Sequence, residues 1–270
     1  MGGRRGAADI ENTMTTLQQT MSEVCTSRDA GEERYFLPVG YRCRPNALTR
    51  DECGTDYWNP ERIAASGRYQ RHVYAWAARL VRARSLNSVL DAGCGPGTKL
   101  ASQIATVCAD VEGIDQASAI AAARQRGTPG VLREIDLEAC DGVAAWRTFD
   151  LIVCADVVEH MLDPDPLLWL LKRLSHERTL LLISTPDRAR LHGRACMSCD
   201  KPEHVREWAE AEFLAFLRSR GLDVLGVRRL PADDAPWRKG ALREAAYRLG
   251  LAGTSPHRCC TALCRVRKGA

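Results

Sequence analysis

The run Val89-Leu90-Asp91-Ala92-Gly93-Cys94-Gly95-Pro96-Gly97-Thr98 puts a carboxylate at the end of a short apolar strand and three alternating glycines directly after it. Gly93, Gly95 and Gly97 let the backbone turn tightly and approach a ligand with no Cβ in the way. A dinucleotide site asks for the spacing GxGxxG, with a pyrophosphate on a helix N-terminus and no acid in the turn to repel it. Here the third glycine comes one residue early, and Asp91 suits a cation. A cofactor whose amino-acid end carries an ammonium, S-adenosylmethionine, meets those electrostatics.

Three further acids stand where strands are expected to end, and in an open α/β sheet ligands bind beyond the carboxyl ends of the strands. Asp115 closes Glu112-Gly113-Ile114-Asp115, about twenty residues past the glycines, where an acid accepts ribose hydroxyls. Asp136 follows the third strand and suits an adenine amino group, and Asp156 follows the fourth in Cys154-Ala155-Asp156-Val157-Val158-Glu159-His160. A single strand-end Asp is often only a helix cap. Four in register define a pocket, with Cys94, Gln116, Leu137 and Val157 as neighbouring contacts.

The acceptor side is expected between Asp187 and Trp208, a segment that holds Arg188, Arg190, His192, Cys196, Cys199, His204, Arg206 and Glu207. Methyl transfer from a sulfonium is an in-line displacement, so positioning does most of the work. A hydroxyl acceptor also loses a proton, and a neutral imidazole has the right basicity. His204 is the first candidate base and His160 the second, with Glu207 orienting the imidazole or binding an amine. No metal is expected, although His192, Cys196, Cys199 and His204 have spacings compatible with tetrahedral zinc.

Positioning these residues takes an alternation of strands and helices that predicts a parallel sheet wrapped by helices. Strands are expected at 88–92, 111–115, 131–135, 149–154 and 179–184, and helices near 97–108, 117–126, 165–175 and 206–220. The runs at 88–90, 151–153 and 180–183 lack polar alternation and belong in the centre of the sheet. Before them, Pro60 to Arg84 reads as one helix with Ile63, Val73, Trp76, Leu80 and Val81 as its apolar stripe. After them come a strand from Leu222 to Leu230, a helix from Trp237 to Leu249 and a strand from His257 to Val266, where Cys260, Ala262, Cys264 and Val266 share a face. The organisation expected is a flexible arm over residues 1–30, a cap or lid over 31–86, and a catalytic domain over 87–270 with an acceptor-side insert near 185–208.

With these motifs in view, the chain resembles a class I S-adenosylmethionine-dependent methyltransferase from about Tyr57 to Leu230 plus the last strand. Asp156-Val157-Val158-Glu159-His160 is similar to the corresponding segment of the ubiquinone-biosynthesis type of small-molecule methyltransferases. The resemblance implies a Rossmann-like α/β fold with a seven-stranded, mostly parallel sheet and an antiparallel last strand. It also implies cofactor contacts from the Asp156 block and a role for His160. Two relatives of that fold are disfavoured: the Pro-Pro motif of amino-methylating DNA enzymes is missing after the fourth strand, and Ser184-Thr185-Pro186-Asp187 replaces the Asp-Asn pair of magnesium-dependent catechol enzymes.

Composition sets outer bounds. In 270 residues, 45% hydrophobic content is ordinary for a domain with a sizeable core, and a net charge of +4 with scattered arginines demands neither nucleic acid nor an anionic membrane. The twelve cysteines fall mostly inside apolar patterns, where a thiol acts as a small hydrophobe. The start lacks a secretion signal or a myristoylation site, so a cytoplasmic place with free thiols is expected. The alanine and arginine usage suits a GC-rich bacterium. The expected activity is methyl transfer to an oxygen or nitrogen of a small polar acceptor, sugar-like or a natural-product intermediate, with a homodimer left open. Two alternatives are a non-catalytic protein that binds the cofactor or a partner, and a thiol-dependent enzyme for a thiophilic acceptor such as trivalent arsenic.

Overall fold

A computed structural model describes residues 33–44, 57–140, 146–199, 201–231 and 237–269. The flexible arm expected over residues 1–30 lies outside them. Contacts divide the chain into one unit ending at Tyr41 and a second beginning at Arg42. In the first, a helical turn at 33–35 is followed by a turn that Tyr41 N–H closes on the Pro38 carbonyl at 3.0 Å.

The second unit is built on β1 (Ser88–Ala92), β2 (Asp110–Asp115), β3 (Val131–Glu134), β4 (Phe149–Ala155), β5 (Ser175–Pro186), β6 (Leu222–Leu230) and β7 (Cys259–Val266). They form a seven-stranded sheet in the order β3-β2-β1-β4-β5-β7-β6. All pairings are parallel until β7, which runs antiparallel to both β5 and β6. The three strands that lack polar alternation occupy the centre, because only there does a run such as Leu151-Ile152-Val153 find apolar cover on both faces. Cys94, Cys108, Cys140 and Cys154 are buried free thiols, and Cys259, Cys260 and Cys264 of β7 pack into the core in the same way.

The helix expected from Pro60 to Arg84 is two helices, α1 (Pro60–Ser66) and α2 (Arg71–Arg84). The break falls where Gln70 takes a left-handed backbone, φ 54°, which no α-helix can carry through. Its side-chain amide then donates to Asp156 Oδ2 at 3.0 Å, so a contact 86 residues away stabilises a conformation that local periodicity does not announce. Helix α2 buries Val73, Tyr74, Trp76, Ala77, Ala78 and Val81, while α1 buries none of its residues.

The remaining helices are α3 (Ala117–Gln125), α4 (Asp165–Arg173), α5 (Arg188–His192), α6 (Glu210–Ser219) and α7 (Trp237–Arg248), with a π-helical turn at Leu100–Ile104 after the glycine loop. No helix among the described residues is long and apolar enough to cross a membrane. Helix α6 starts four residues later than the spacing suggests, leaving His204 to Trp208 in an irregular approach ahead of it. Trp208 anchors that approach: it is fully buried and stacks on Phe216 at 5.3 Å between centroids. Trp208→Ala is expected to cost about 3–5 kcal/mol and to lower the melting temperature by on the order of 10 °C, measured by calorimetry.

Candidate active site

The strand register brings the ends of β1, β2, β4 and β5 to one edge of the sheet, with Ala92 level with Ile114 and Ala155 level with Ser184. The glycine loop opens there. Gly93 has φ 80°, and a Cβ on it would stand 2.4 Å from Val157 Cγ2; Gly97 has φ 68°, and a Cβ there would stand 2.5 Å from the Thr128 side chain. Both positions therefore demand glycine for backbone conformation and for space. Val157, expected as a cofactor contact, also sets the floor on which the loop turns.

Asp91 is fully buried. Its Oδ1 accepts the Tyr74 hydroxyl at 2.8 Å, while Oδ2 has no hydrogen-bond partner. A buried carboxylate oxygen left open is costly unless a donor arrives, so the atom marks where an ammonium fits. Burial raises the Asp91 carboxyl to about 7 even though Tyr74 and the Lys99 ammonium pull it down. Asp115 accepts the backbone N–H of Gly95 at 2.7 Å and of Gln116 at 2.8 Å, which ties the second glycine to the second strand end. Burial lifts it to about 6 against those two hydrogen bonds. Asp136 accepts the Glu138 N–H at 2.9 Å, and Leu137 is buried beside it.

Asp156 stands at its strand end with φ 53°, but its carboxylate is already engaged: Oδ1 accepts Ser184 Oγ at 2.6 Å and Oδ2 accepts Gln70. It organises the loop between β4 and α4 whether or not it also meets a ligand. Three residues at this end drew no attention in the sequence. Lys99 donates from Nζ to the Ser66 carbonyl at 3.0 Å, Tyr74 holds Asp91, and Trp58 lies over Gly95 with its indole N–H buried and unpaired. A lysine two residues past the last glycine was the legible signal.

On the acceptor side, Glu159, His160 and His204 bring one ligand atom each to within 4.8 Å of one another. His160 Nδ1 lies 2.9 Å from the Glu203 carbonyl, which can only accept, so the proton is on Nδ1 and the lone pair on Nε2. His204 Nδ1 lies 2.6 Å from Glu207 Oε1, which assigns the same tautomer. The two rings meet edge to face at 4.8 Å. Burial holds both imidazoles down, with Lys201 contributing, His204 to about 3 and His160 well below the ordinary histidine range. Glu159 is fully buried; Oε2 accepts the Thr185 hydroxyl at 3.1 Å and Oε1 has no partner. Burial pushes its carboxyl well up, and Asp156 adds to the rise.

Glu207 is held from several sides. Its backbone carbonyl accepts Arg188 Nη1 at 2.7 Å, and Arg188 grips Glu212 of α6 with both terminal nitrogens at 2.9 and 2.7 Å. Its second carboxylate oxygen meets His192 Nε2 at 3.0 Å. Glu207 and Trp208 are thus not the first turn of the helix: they precede it, and Glu207 bridges two histidines. The four residues whose spacing is compatible with tetrahedral zinc do not converge. The Cys196 thiol donates to the Ser198 carbonyl at 3.0 Å and that of Cys199 to the His204 carbonyl at 3.1 Å. Among the described residues, Glu159, His160 and His204 are the group whose ligand atoms lie close enough for one cation.

The buried acid of β1 and the triple-glycine turn after it thus stand at the carboxyl edge of a mostly parallel sheet. The chain belongs to the methyltransferase-domain family, which it matches over residues 67–227, and its mostly parallel sheet is that of the class I S-adenosylmethionine-dependent methyltransferases. It is 32% identical over 156 residues to the ubiquinone biosynthesis O-methyltransferase of Paracidovorax citrulli, covering 52% of this chain and 65% of that protein. It is 36% identical over 110 residues to the protein of the same name from Glaesserella parasuis, covering 37% of this chain and 45% of that protein. The chain therefore matches less than two thirds of the length of either relative. Among solved structures, the plantazolicin methyltransferase BamL, complexed with a triazolic desmethylPZN analog and SAH, superposes with a TM-score of 0.54 at 18% identity, over 82% of this chain and 96% of that one.

Two outcomes follow for the cofactor end. Asp91→Ala removes the counter-charge of an ammonium, and titration calorimetry should show affinity for S-adenosylmethionine falling by about 100-fold or more. In the wild type, binding needs Asp91 ionised, and its carboxyl in the free protein sits near 7. Affinity should therefore rise as pH climbs from 5.5 to 7, by up to about tenfold per unit, with proton release visible as a buffer-dependent enthalpy.

Proposed function

We propose that the enzyme transfers a methyl group to a hydroxyl oxygen of a small polar acceptor, sugar-like or a natural-product intermediate, with His204 as the group that takes the hydroxyl proton. The observation that carries this reading is the Glu207 carboxylate on His204 Nδ1: it leaves Nε2, beside Glu159 and His160, as the proton acceptor and would stabilise the imidazolium that forms, against the fall in basicity that burial imposes. The names of both curated relatives, O-methyltransferases, support oxygen as the acceptor atom. S-adenosylmethionine, when bound, supplies the electrophilic methyl on its sulfonium.

The protein's own residues do the rest. Asp91 is to hold the ammonium, Asp115 the ribose hydroxyls and Asp136 the adenine amino group, with Gly93, Cys94, Gly95, Gly97, Gln116, Leu137, Asp156 and Val157 lining the way. Together they fix the direction from which the methyl group is presented, which is the larger part of catalysing a displacement. Glu207 keeps the His204 ring in one tautomer and one orientation. His192 and Arg188 keep Glu207 in place. A small-molecule acceptor, a cytoplasmic setting and action without nucleic acid or membrane belong to the same reading.

One observation favours a second version of this chemistry. Glu159 offers a buried carboxylate oxygen with no partner next to two imidazole lone pairs, a ligand set that suits a divalent cation, with Glu207 as the outer carboxylate that orients a ligating histidine. A cation there would lower the acidity barrier of the acceptor hydroxyl in place of a base.

The two versions part on chelation, with screened hydroxyl acceptors and methyl transfer as the readout. His204→Ala should slow turnover by about 10²- to 10⁴-fold while leaving cofactor affinity unchanged. If the wild type keeps its rate after metal removal, the base version stands; if the rate is lost and returns with added Mg²⁺, Mn²⁺ or Zn²⁺, the cation version replaces it. Cys196→Ser with Cys199→Ser should leave turnover within about twofold, because both thiols face backbone carbonyls. A requirement for both would revive the thiophilic acceptor.

A further inference from the structure

The amino-acid end of the cofactor carries two opposite charges on one carbon, an ammonium and a carboxylate. Asp91 answers the first. Around Asp91 the other ionisable groups acting on the same space include Asp115 and Asp156, so a bare carboxylate brought in beside the ammonium would meet acids. A cation is needed within reach of Asp91, and Lys99 stands there. Its ammonium lies 5.3 Å from the centre of the Tyr74 ring, and the hydroxyl of that ring is the group bonded to Asp91. Its Nζ also donates to the Ser66 carbonyl at 3.0 Å, which fastens the end of α1 to the mouth of the glycine loop, as does the contact of Ser66 Oγ with Thr98 Oγ1 at 3.1 Å.

We propose that Lys99 binds the carboxylate of the cofactor's amino-acid end, so that Asp91 and Lys99 together read the zwitterion. Local backbone geometry agrees with this use. Lys99 is the residue from which the π-helical turn Leu100–Ile104 begins, and such wide turns recur where a helix gives up regular bonding to aim side chains at a site. Leu100 and Ile104 are buried, while the Lys99 ammonium meets the Ser66 carbonyl and the face of the Tyr74 ring. Burial lowers the Lys99 ammonium from the ordinary lysine range and Asp91 and Asp156 oppose that shift, so an arriving carboxylate would strengthen the charged form further.

The competing role is purely structural, with Lys99 offsetting the acids of the loop whatever the ligand. Calorimetric titration of the full chain separates the two with a matched pair: S-adenosylmethionine, and its decarboxylated form, which keeps the ammonium, sulfonium and nucleoside but lacks the carboxylate. Wild-type protein should bind the decarboxylated ligand about 10- to 100-fold more weakly, the range of a charge-assisted pair. Lys99→Met should lose a similar factor for S-adenosylmethionine and less than about threefold for the decarboxylated ligand, and Lys99→Arg should restore most of the difference.

Equal losses on both ligands in Lys99→Met would overturn the proposal in favour of general charge balance. Equal affinity of the wild type for the two ligands would overturn it without any variant, which keeps the test decisive if Lys99→Met does not fold. Wild-type protein that binds neither would instead sink the assignment of the glycine loop to this cofactor, and the role of Lys99 with it.

Discussion

A carboxylate buried at the end of β1 with one oxygen satisfied and the other open is the constraint around which the rest of the molecule is arranged. Taking Asp91 out of water costs several kcal/mol before any ligand binds. The cost is carried by the apolar strands on either side of β1 and by Tyr74, whose hydroxyl is delivered by a helix that buries most of one face against the same sheet. That helix cannot begin where the chain first turns helical, because Gln70 must leave the α-region for its amide to reach Asp156. The break between α1 and α2, the left-handed Asp156 and the glycine loop are thus parts of one solution to holding three acids at one sheet edge.

The acceptor side obeys a different logic, in which arginines do the fastening. Arg188 and Arg190 occupy the single turn of α5 and point to different anchors. Arg188 takes Glu212 at the start of α6 and the carbonyl of Glu207, while Arg190 is buried against Glu244 of α7, Ser255 and the His257 carbonyl. The stretch from Trp237 to Ser255, which separates β6 from β7, is therefore tied to the element that carries His192. Arg206 adds a further tie, donating to the Met161 and Leu162 carbonyls at 2.9 and 2.7 Å. Buried guanidinium groups satisfied in several directions make this loop-built region as specific as a helix or strand would be.

Chemically, the two sides differ in what burial does to their titrating groups. At the cofactor end burial raises carboxyls and leaves one oxygen waiting for a donor. Around His160 and His204 it keeps the imidazoles neutral at the expense of their basicity, and raises Glu159 beside them. One edge of the fold thereby carries raised carboxyls at the ends of β1 and β2 and neutral imidazoles beyond the Asp156 turn.

By itself the sequence determined the alternation of strands and helices, the three central strands, the cofactor class and the strand ends at which acids stand, because these follow from apolar runs, glycine spacing and strand-end charges that act over a few residues. It also named His160, His204 and Glu207, and set Glu207 against the His204 imidazole as one of its two uses, the contact the structure shows. The tertiary structure alone decided where the helix before β1 breaks, that Glu207 bridges two histidines ahead of α6, that Glu159 joins His160 and His204 while Cys196 and Cys199 turn to backbone carbonyls, and that Lys99 faces Asp91. Gln70 and Asp156 stand 86 positions apart, and Glu159 and His160 meet a histidine from a distant loop; the shorter contacts of Glu207, Cys196, Cys199 and Lys99 depend on how irregular backbone turns. In neither case does a local period record which group will satisfy a buried polar atom.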